Sequence, residues 1–131
     1  GSFIFAADLM REIELSAQIS FVKLASYVGT SSTGSVCEMI GLNVDISGRD
    51  VVVVEDIVDS GLTMKYVTEM LAKYNPRSIS ICTLLLKPGN LKVDLDIPYK
   101  CFSIPNDFIL GYGLDYDGYG RNTRDIYTVV E

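Results

Sequence analysis

The sequence predicts an α/β fold, doubly wound, with a mainly parallel sheet and helices on both faces. Three observations carry that prediction. Val51-Val52-Val53-Val54 is a β-branched run suited to a strand buried on both faces. Ser78 to Leu86 is a second strongly apolar strand. Between them Met64, Val67, Leu71 and Tyr74 recur at helical spacing until Asn75-Pro76 stops the helix. Residues 51–86 therefore make a βαβ unit, with parallel strands and a right-handed crossover.

The remaining elements follow in chain order. Phe3, Ala6, Ala7, Met10, Ile13 and Leu15 are spaced for an amphipathic helix over residues 3–15. Ile19 to Tyr27 and Val36 to Val44 read as strands. Between them Gly29-Thr30-Ser31-Ser32-Thr33-Gly34-Ser35 is a small, polar stretch expected to be a mobile loop. Ser47-Gly48-Arg49-Asp50 reads as a turn, and the chain is expected to leave its strand abruptly at Glu55. Beyond Lys87 the composition shifts to Tyr, Gly and Asp. Short strands are expected near Lys100 to Ile104, Phe108 to Tyr112 and Ile126 to Val130.

Composition removes whole classes of chemistry. A chain of 131 residues fits a single domain, 1–131, and its 48% hydrophobic content suits a packed globule. Eleven basic against seventeen acidic residues give a net charge of −6 without a basic patch, so no nucleic-acid partner is expected. The chain has no histidine, which excludes His-dependent nucleophile pairs and His-ligated zinc. Base chemistry falls to carboxylates. Cys37, Cys82 and Cys101 lie among apolar residues and read as small buried hydrophobes in a reducing cytoplasm. No apolar stretch has the length of a membrane helix, and the opening residues, interrupted by Asp8, do not read as a signal peptide.

The segment Glu55-Asp56-Ile57-Val58-Asp59-Ser60-Gly61-Leu62-Thr63 lies at the carboxyl end of a strand, where open parallel sheets bind ligands. Its first half offers acceptor-only carboxylates, fit for hydroxyls or a hard cation such as Mg²⁺. Its second half opens a helix, whose unpaired amides and positive dipole end favour phosphate. A phosphorylated sugar satisfies both halves. A solvated acidic turn with Ser60 as the helix cap is the other reading of the same spacing.

Residues 51–63 resemble the phosphoribosyl-pyrophosphate signature of type I phosphoribosyltransferases. Ser26-Tyr27, Leu84-Leu85-Leu86-Lys87, the run Ile104 to Tyr116, and Arg121 six positions after Asp115 narrow the resemblance to the hypoxanthine-guanine phosphoribosyltransferases. The resemblance implies the type I fold with a small hood region, Mg²⁺ as cofactor, and a dimer or tetramer acting on phosphoribosyl pyrophosphate and a 6-oxopurine in the cytoplasm.

Roles are likewise implied by resemblance. Glu55 and Asp56 would hold the ribose hydroxyls, directly or through Mg²⁺. Asp59, Ser60, Gly61, Leu62 and Thr63 would cradle the 5′-phosphate, and Asp59 would accept the proton of purine N7. Lys87 would bond the 6-oxo group, Phe108 would stack on the base, and the Ile109 backbone would meet its edge. Asp115 would serve a second Mg²⁺, and Arg121 would pair with pyrophosphate. Ser26 and Tyr27 open a lid expected over residues 26–36. Taken singly, Lys87 reads as a snorkelling surface lysine and Phe108 as core; Asp117 and Arg124 read as solvated charges.

Members of that family carry a Leu-Lys-Gly turn and a strand ahead of the first helix, of which Gly1 alone is matched here, so the chain is expected to be truncated relative to the family. Two further readings stay open: a binding module sensing the donor without transfer, and a Mg²⁺-dependent phosphatase using the same carboxylates.

Overall fold

A computed structural model describes residues 1–28 and 35–130, with the side chains of 25–28 and 35–38 outside that description. Three parallel strands, β3 (Asp50–Val58), β4 (Ser78–Leu86) and β5 (Tyr99–Ser103), form the central sheet in the order β3-β4-β5. Helix α2 (Leu62–Ala72) connects the first two, as the apolar spacing predicts. Helix α1 (Phe3–Glu12) precedes an antiparallel hairpin of β1 (Lys23–Val28) and β2 (Ser35–Ile40). A two-residue antiparallel pair, β6 (Ile109–Leu110) and β7 (Tyr127–Thr128), closes the chain.

Two apolar clusters sandwich the sheet. Met64, Val67 and Leu71 of α2 pack with Ile81, Val58 and Leu86, while Phe5 of α1 packs with Cys82, Leu84, Leu85 and Leu114. β4 is central and its last six residues are all buried. The helices thus cover both faces, in agreement with the predicted class.

Several boundaries differ from expectation for identifiable reasons. α1 ends at Glu12, because Ile13 is extended and Leu15 is 81% exposed with no core to meet. β1 starts at Lys23 rather than Ile19, since its partner strand reaches no further than Ile40. Gly41, at φ +100°, turns the chain away there, and a Cβ would stand 3.1 Å from the Phe21 carbonyl. The valine run is not buried on both faces: β3 lies at one edge of the sheet and Val52 is 52% exposed. Cys101 is exposed, contrary to expectation, because all of edge strand β5 is exposed.

The strand does not stop at Glu55. It runs on to Val58, pairing Ile57 with Leu85 and Val58 with Leu86. Side-chain alternation shifts by one residue on the way. Val51 and Val53 face the α2 cluster and Val54 the α1 cluster, yet Ile57 joins the α1 side and Val58 the α2 side. β4 shifts at the same level: Ile79 and Ile81 pack with α2, Cys82, Leu84 and Leu85 with α1, and Leu86 again with α2. Two local hydrogen bonds sit at this shift. The Thr83 hydroxyl, fully buried, donates to the Leu85 carbonyl at 2.9 Å, and the Ile57 amide donates to Asp56 Oδ1 at 2.8 Å. Such bonds compete with regular ladder pairing.

Candidate active site

The carboxyl ends of β3 and β4 present the acidic segment and Lys87 side by side. Glu55 and Asp56 are consecutive in β3, and Asp56 is buried at 8% exposure. The Asp56 amide donates to Glu55 Oε1 at 3.1 Å. Burial, reinforced by the adjacent Asp56 carboxylate, pushes the Glu55 carboxyl up to about 8. The oxygens of these two adjacent carboxyls form a hard donor set fit for Mg²⁺, whose charge would offset the burial that raises Glu55.

The loop after β3 holds Asp59, Ser60 and Gly61. Gly61 is the residue before α2 and adopts φ +84°, a left-handed conformation that side chains disfavour. A Cβ there would also stand 2.9 Å from methyls of Val93 and Leu95. Ser60 Oγ accepts from the Leu62 amide at 3.3 Å, and the Lys65 amide closes the first helical turn on the Gly61 carbonyl at 3.0 Å. Leu62 and Thr63 begin α2 and are exposed, at the positive end of the helix dipole, where an anion is favoured.

Lys87 is 7% exposed, which overturns its reading as a surface lysine. Its Nζ lies 3.5 Å from Asp59 Oδ2, and Asn90 Nδ2 donates to Asp59 Oδ1 at 2.8 Å. Asn90 is a contact the sequence reading did not assign. Its signal was an amide three residues after Lys87 in a Pro-Gly turn, where a 3₁₀ turn brings positions i and i+3 to one side.

The third group comes from the segment after β5. Phe108 is 54% exposed, not core, and its ring meets Tyr116 edge-on with centroids 5.5 Å apart. Tyr116 was likewise not singled out by the sequence. Ile109 lies in β6, paired with Thr128, and packs against the α1 cluster. Asp115 Oδ2 accepts from the Gly118 amide at 2.9 Å, and its other oxygen lies 3.3 Å from Arg121. Arg121 also donates to the Gly113 carbonyl at 2.8 Å. Asp117 and Arg124 are exposed, as expected of solvated charges.

The predicted residues are thus brought together as three pairs: Glu55 with Asp56, Asp59 with Lys87, Asp115 with Arg121. Among the described residues no group of three Asp, Glu, Cys or His converges for a metal, so Asp115 stands apart from the Glu55–Asp56 pair. Ser26 and Tyr27 lie in β1, opposite Cys37 and Val36. The lid expected over residues 26–36 falls largely outside the described residues.

Known proteins resemble this chain in both sequence and fold. A family model described as a phosphoribosyl transferase domain matches residues 1–117. The hypoxanthine-guanine phosphoribosyltransferases of Mycobacterium tuberculosis and Mycobacterium avium are 46% and 48% identical over 130 residues, 98% of this chain and 64% of theirs. The chain thus spans 64% of the length of those curated relatives. A crystal structure of the Bacillus anthracis hypoxanthine-guanine phosphoribosyltransferase superposes with a TM-score of 0.91 at 42% identity, covering 99% of this chain and 77% of that one. A Staphylococcus aureus hypoxanthine phosphoribosyltransferase gives 0.91 at 39% identity, covering 99% and 71%. The strand-end acidic pair, the Gly61 turn and the buried lysine thus sit on a type I fold, and the chain belongs to the phosphoribosyltransferase family, among the hypoxanthine-guanine phosphoribosyltransferases.

Proposed function

We propose that the protein carrying this chain transfers the 5-phosphoribosyl group from phosphoribosyl pyrophosphate to hypoxanthine or guanine, releasing pyrophosphate and the 5′-mononucleotide. The observation that carries this reading is the buried Lys87 at 3.5 Å from Asp59. A donor-only ammonium suited to a 6-oxo group stands beside the turn suited to a sugar phosphate. A phosphatase would have no use for that lysine or for the exposed Phe108.

In this reading residues 59–63 bind the 5′-phosphate through the amides that open α2. Glu55 and Asp56 orient the ribose hydroxyls, and Asp115 holds the pyrophosphate side of the donor. Mg²⁺ bound at these carboxylates would neutralise the pyrophosphate charge. As the bond from C1′ to pyrophosphate breaks, its electron pair leaves with pyrophosphate and the sugar gains oxocarbenium character. Nearby carboxylates stabilise that positive charge. Purine N9 forms the new bond to C1′, and Asp59 accepts the N7 proton. Phe108 offers its face to the base, Lys87 fixes the 6-oxo group, and Arg121 exchanges Asp115 and Gly113 for pyrophosphate oxygens.

The test is incubation of the protein with Mg²⁺, phosphoribosyl pyrophosphate and hypoxanthine, following nucleotide by absorbance and pyrophosphate by a coupled assay. Equal yields of both products are expected. Donor-induced thermal stabilisation without product would instead support a sensor, and phosphate release without base a phosphatase. The cytoplasm, and a dimer or tetramer as the working form, belong to the same proposal.

A further inference from the structure

The segment after β4 follows the phosphate turn residue by residue. The Lys87 amide donates to the Val58 carbonyl at 3.0 Å, and the Lys92 amide to the Ser60 carbonyl at 2.9 Å. Between these two backbone ties, the Asn90 side chain reaches Asp59 Oδ1 at 2.8 Å. Asn90 is itself fixed. Pro88 opens a 3₁₀ turn that the Asn90 amide closes on the Lys87 carbonyl at 3.1 Å. On its other side the turn is backed by Asn106, whose amide would lie 3.3 Å from a Cβ at Gly89.

From this geometry we propose that Asn90 is a positioning residue for Asp59, which rests on the reading of Asp59 as the proton acceptor. The two donors on Asp59 are unequal. Asn90 makes the short bond, while the Lys87 ammonium stands at the long edge of an ion pair, at 3.5 Å. A base with a 6-oxo group draws Lys87 toward itself and releases Asp59 Oδ2. Asn90 keeps Oδ1, so the carboxylate holds its orientation and turns its released oxygen to the N7 proton. The amide gives up no proton in this step. Its part is to prevent rotation of Asp59 when the lysine changes partner. The 6-oxopurine thereby both binds at Lys87 and frees the oxygen that deprotonates it.

The test is a double-mutant cycle with Asn90→Ala and Asp59→Asn, reading kcat and both KM values. The Asn90 bond is made to a charged group, so Asn90→Ala should lower kcat roughly 10- to 100-fold. KM for phosphoribosyl pyrophosphate should stay within about twofold. Asn90→Asp, which sets an acceptor against Asp59, should lose more than the alanine variant. In the Asp59→Asn background the alanine substitution should add less than about threefold. An equal loss in both backgrounds, or a loss confined to the donor KM, overturns the proposal. A second readout needs no turnover: the Asn90 side-chain amide resonances in a ¹H–¹⁵N spectrum should move on Asp59→Ala. Absence of product from the unsubstituted protein would sink the transferase reading and the positioning role with it, whereas unmoved Asn90 resonances beside normal turnover would sink the Asn90–Asp59 pairing only.

Discussion

Replacing Thr83 with valine deletes one hydroxyl from the centre of the sheet while keeping the volume of the side chain. Thr83 is 0% exposed and its hydroxyl donates to the Leu85 carbonyl at 2.9 Å. Losing a hydrogen bond of this kind costs about 0.5–1.5 kcal/mol, and the carbonyl left in an apolar setting costs about 1–3 kcal/mol. The valine methyl recovers roughly 0.8 kcal/mol of apolar burial. The net is a destabilisation of about 0.7–3.7 kcal/mol. With an m value of ~2 kcal/mol/M, that lowers a urea midpoint by about 0.4–1.8 M. The same substitution should raise KM for the base, because the bond lies where β4 changes phase just ahead of Lys87. Thr83→Ser, which keeps the hydroxyl, should leave KM unmoved. A valine variant with an unchanged midpoint and an unchanged base KM would refute the role given to this hydroxyl.

Other substitutions test the site and its supports. Asp59→Asn should lower kcat by roughly 10² to 10⁴ with little effect on donor binding, measured by single-turnover kinetics and calorimetry. Lys87→Met should raise KM for hypoxanthine by about 10- to 100-fold while leaving the donor KM nearly unchanged in steady-state assays. Gly61→Ala forces a side chain into a left-handed residue, at about 1–2 kcal/mol, and should weaken phosphate binding in a calorimetric titration. Tyr112 donates to Asp8 of α1, a bond that pushes the phenol from 10 up to about 12. A raised acid favours folding while it stays protonated. The contribution is therefore complete below about pH 10 and is lost as pH rises through about 12. Tyr112→Phe should flatten the fall in stability across that window, as followed by urea unfolding.

The βαβ unit was legible because its residues obey simple periods. Val51 to Val54, Met64-Val67-Leu71 and Ser78 to Leu86 each show one pattern, and each became the element that pattern names. The acidic segment was legible as a motif, since a strand end followed by a helix start is a sequence-local event. Contacts across the fold were not legible. Asn90 meets Asp59 across 31 positions, and Tyr112 meets Asp8 across 104. Neither partner carries a pattern that points to the other. Lys87 and Phe108 exchanged their expected environments because burial there is set by neighbouring segments. Lys87 is covered at the junction of two strands, whereas Phe108 stands out beside Tyr116.

The shift of alternation in β3 and β4 alters what substitutions the sheet can absorb. An ordinary half-buried strand tolerates polar residues at every second position. Here Leu84, Leu85 and Leu86 are consecutive and all buried, two toward one helix and the last toward the other. A permissive outward position is therefore missing from this stretch, and Ile57-Val58 shows the same want opposite it. A library that randomised residues 84–86 should return aliphatic side chains at all three sites, in place of the every-other-residue tolerance a regular strand would display.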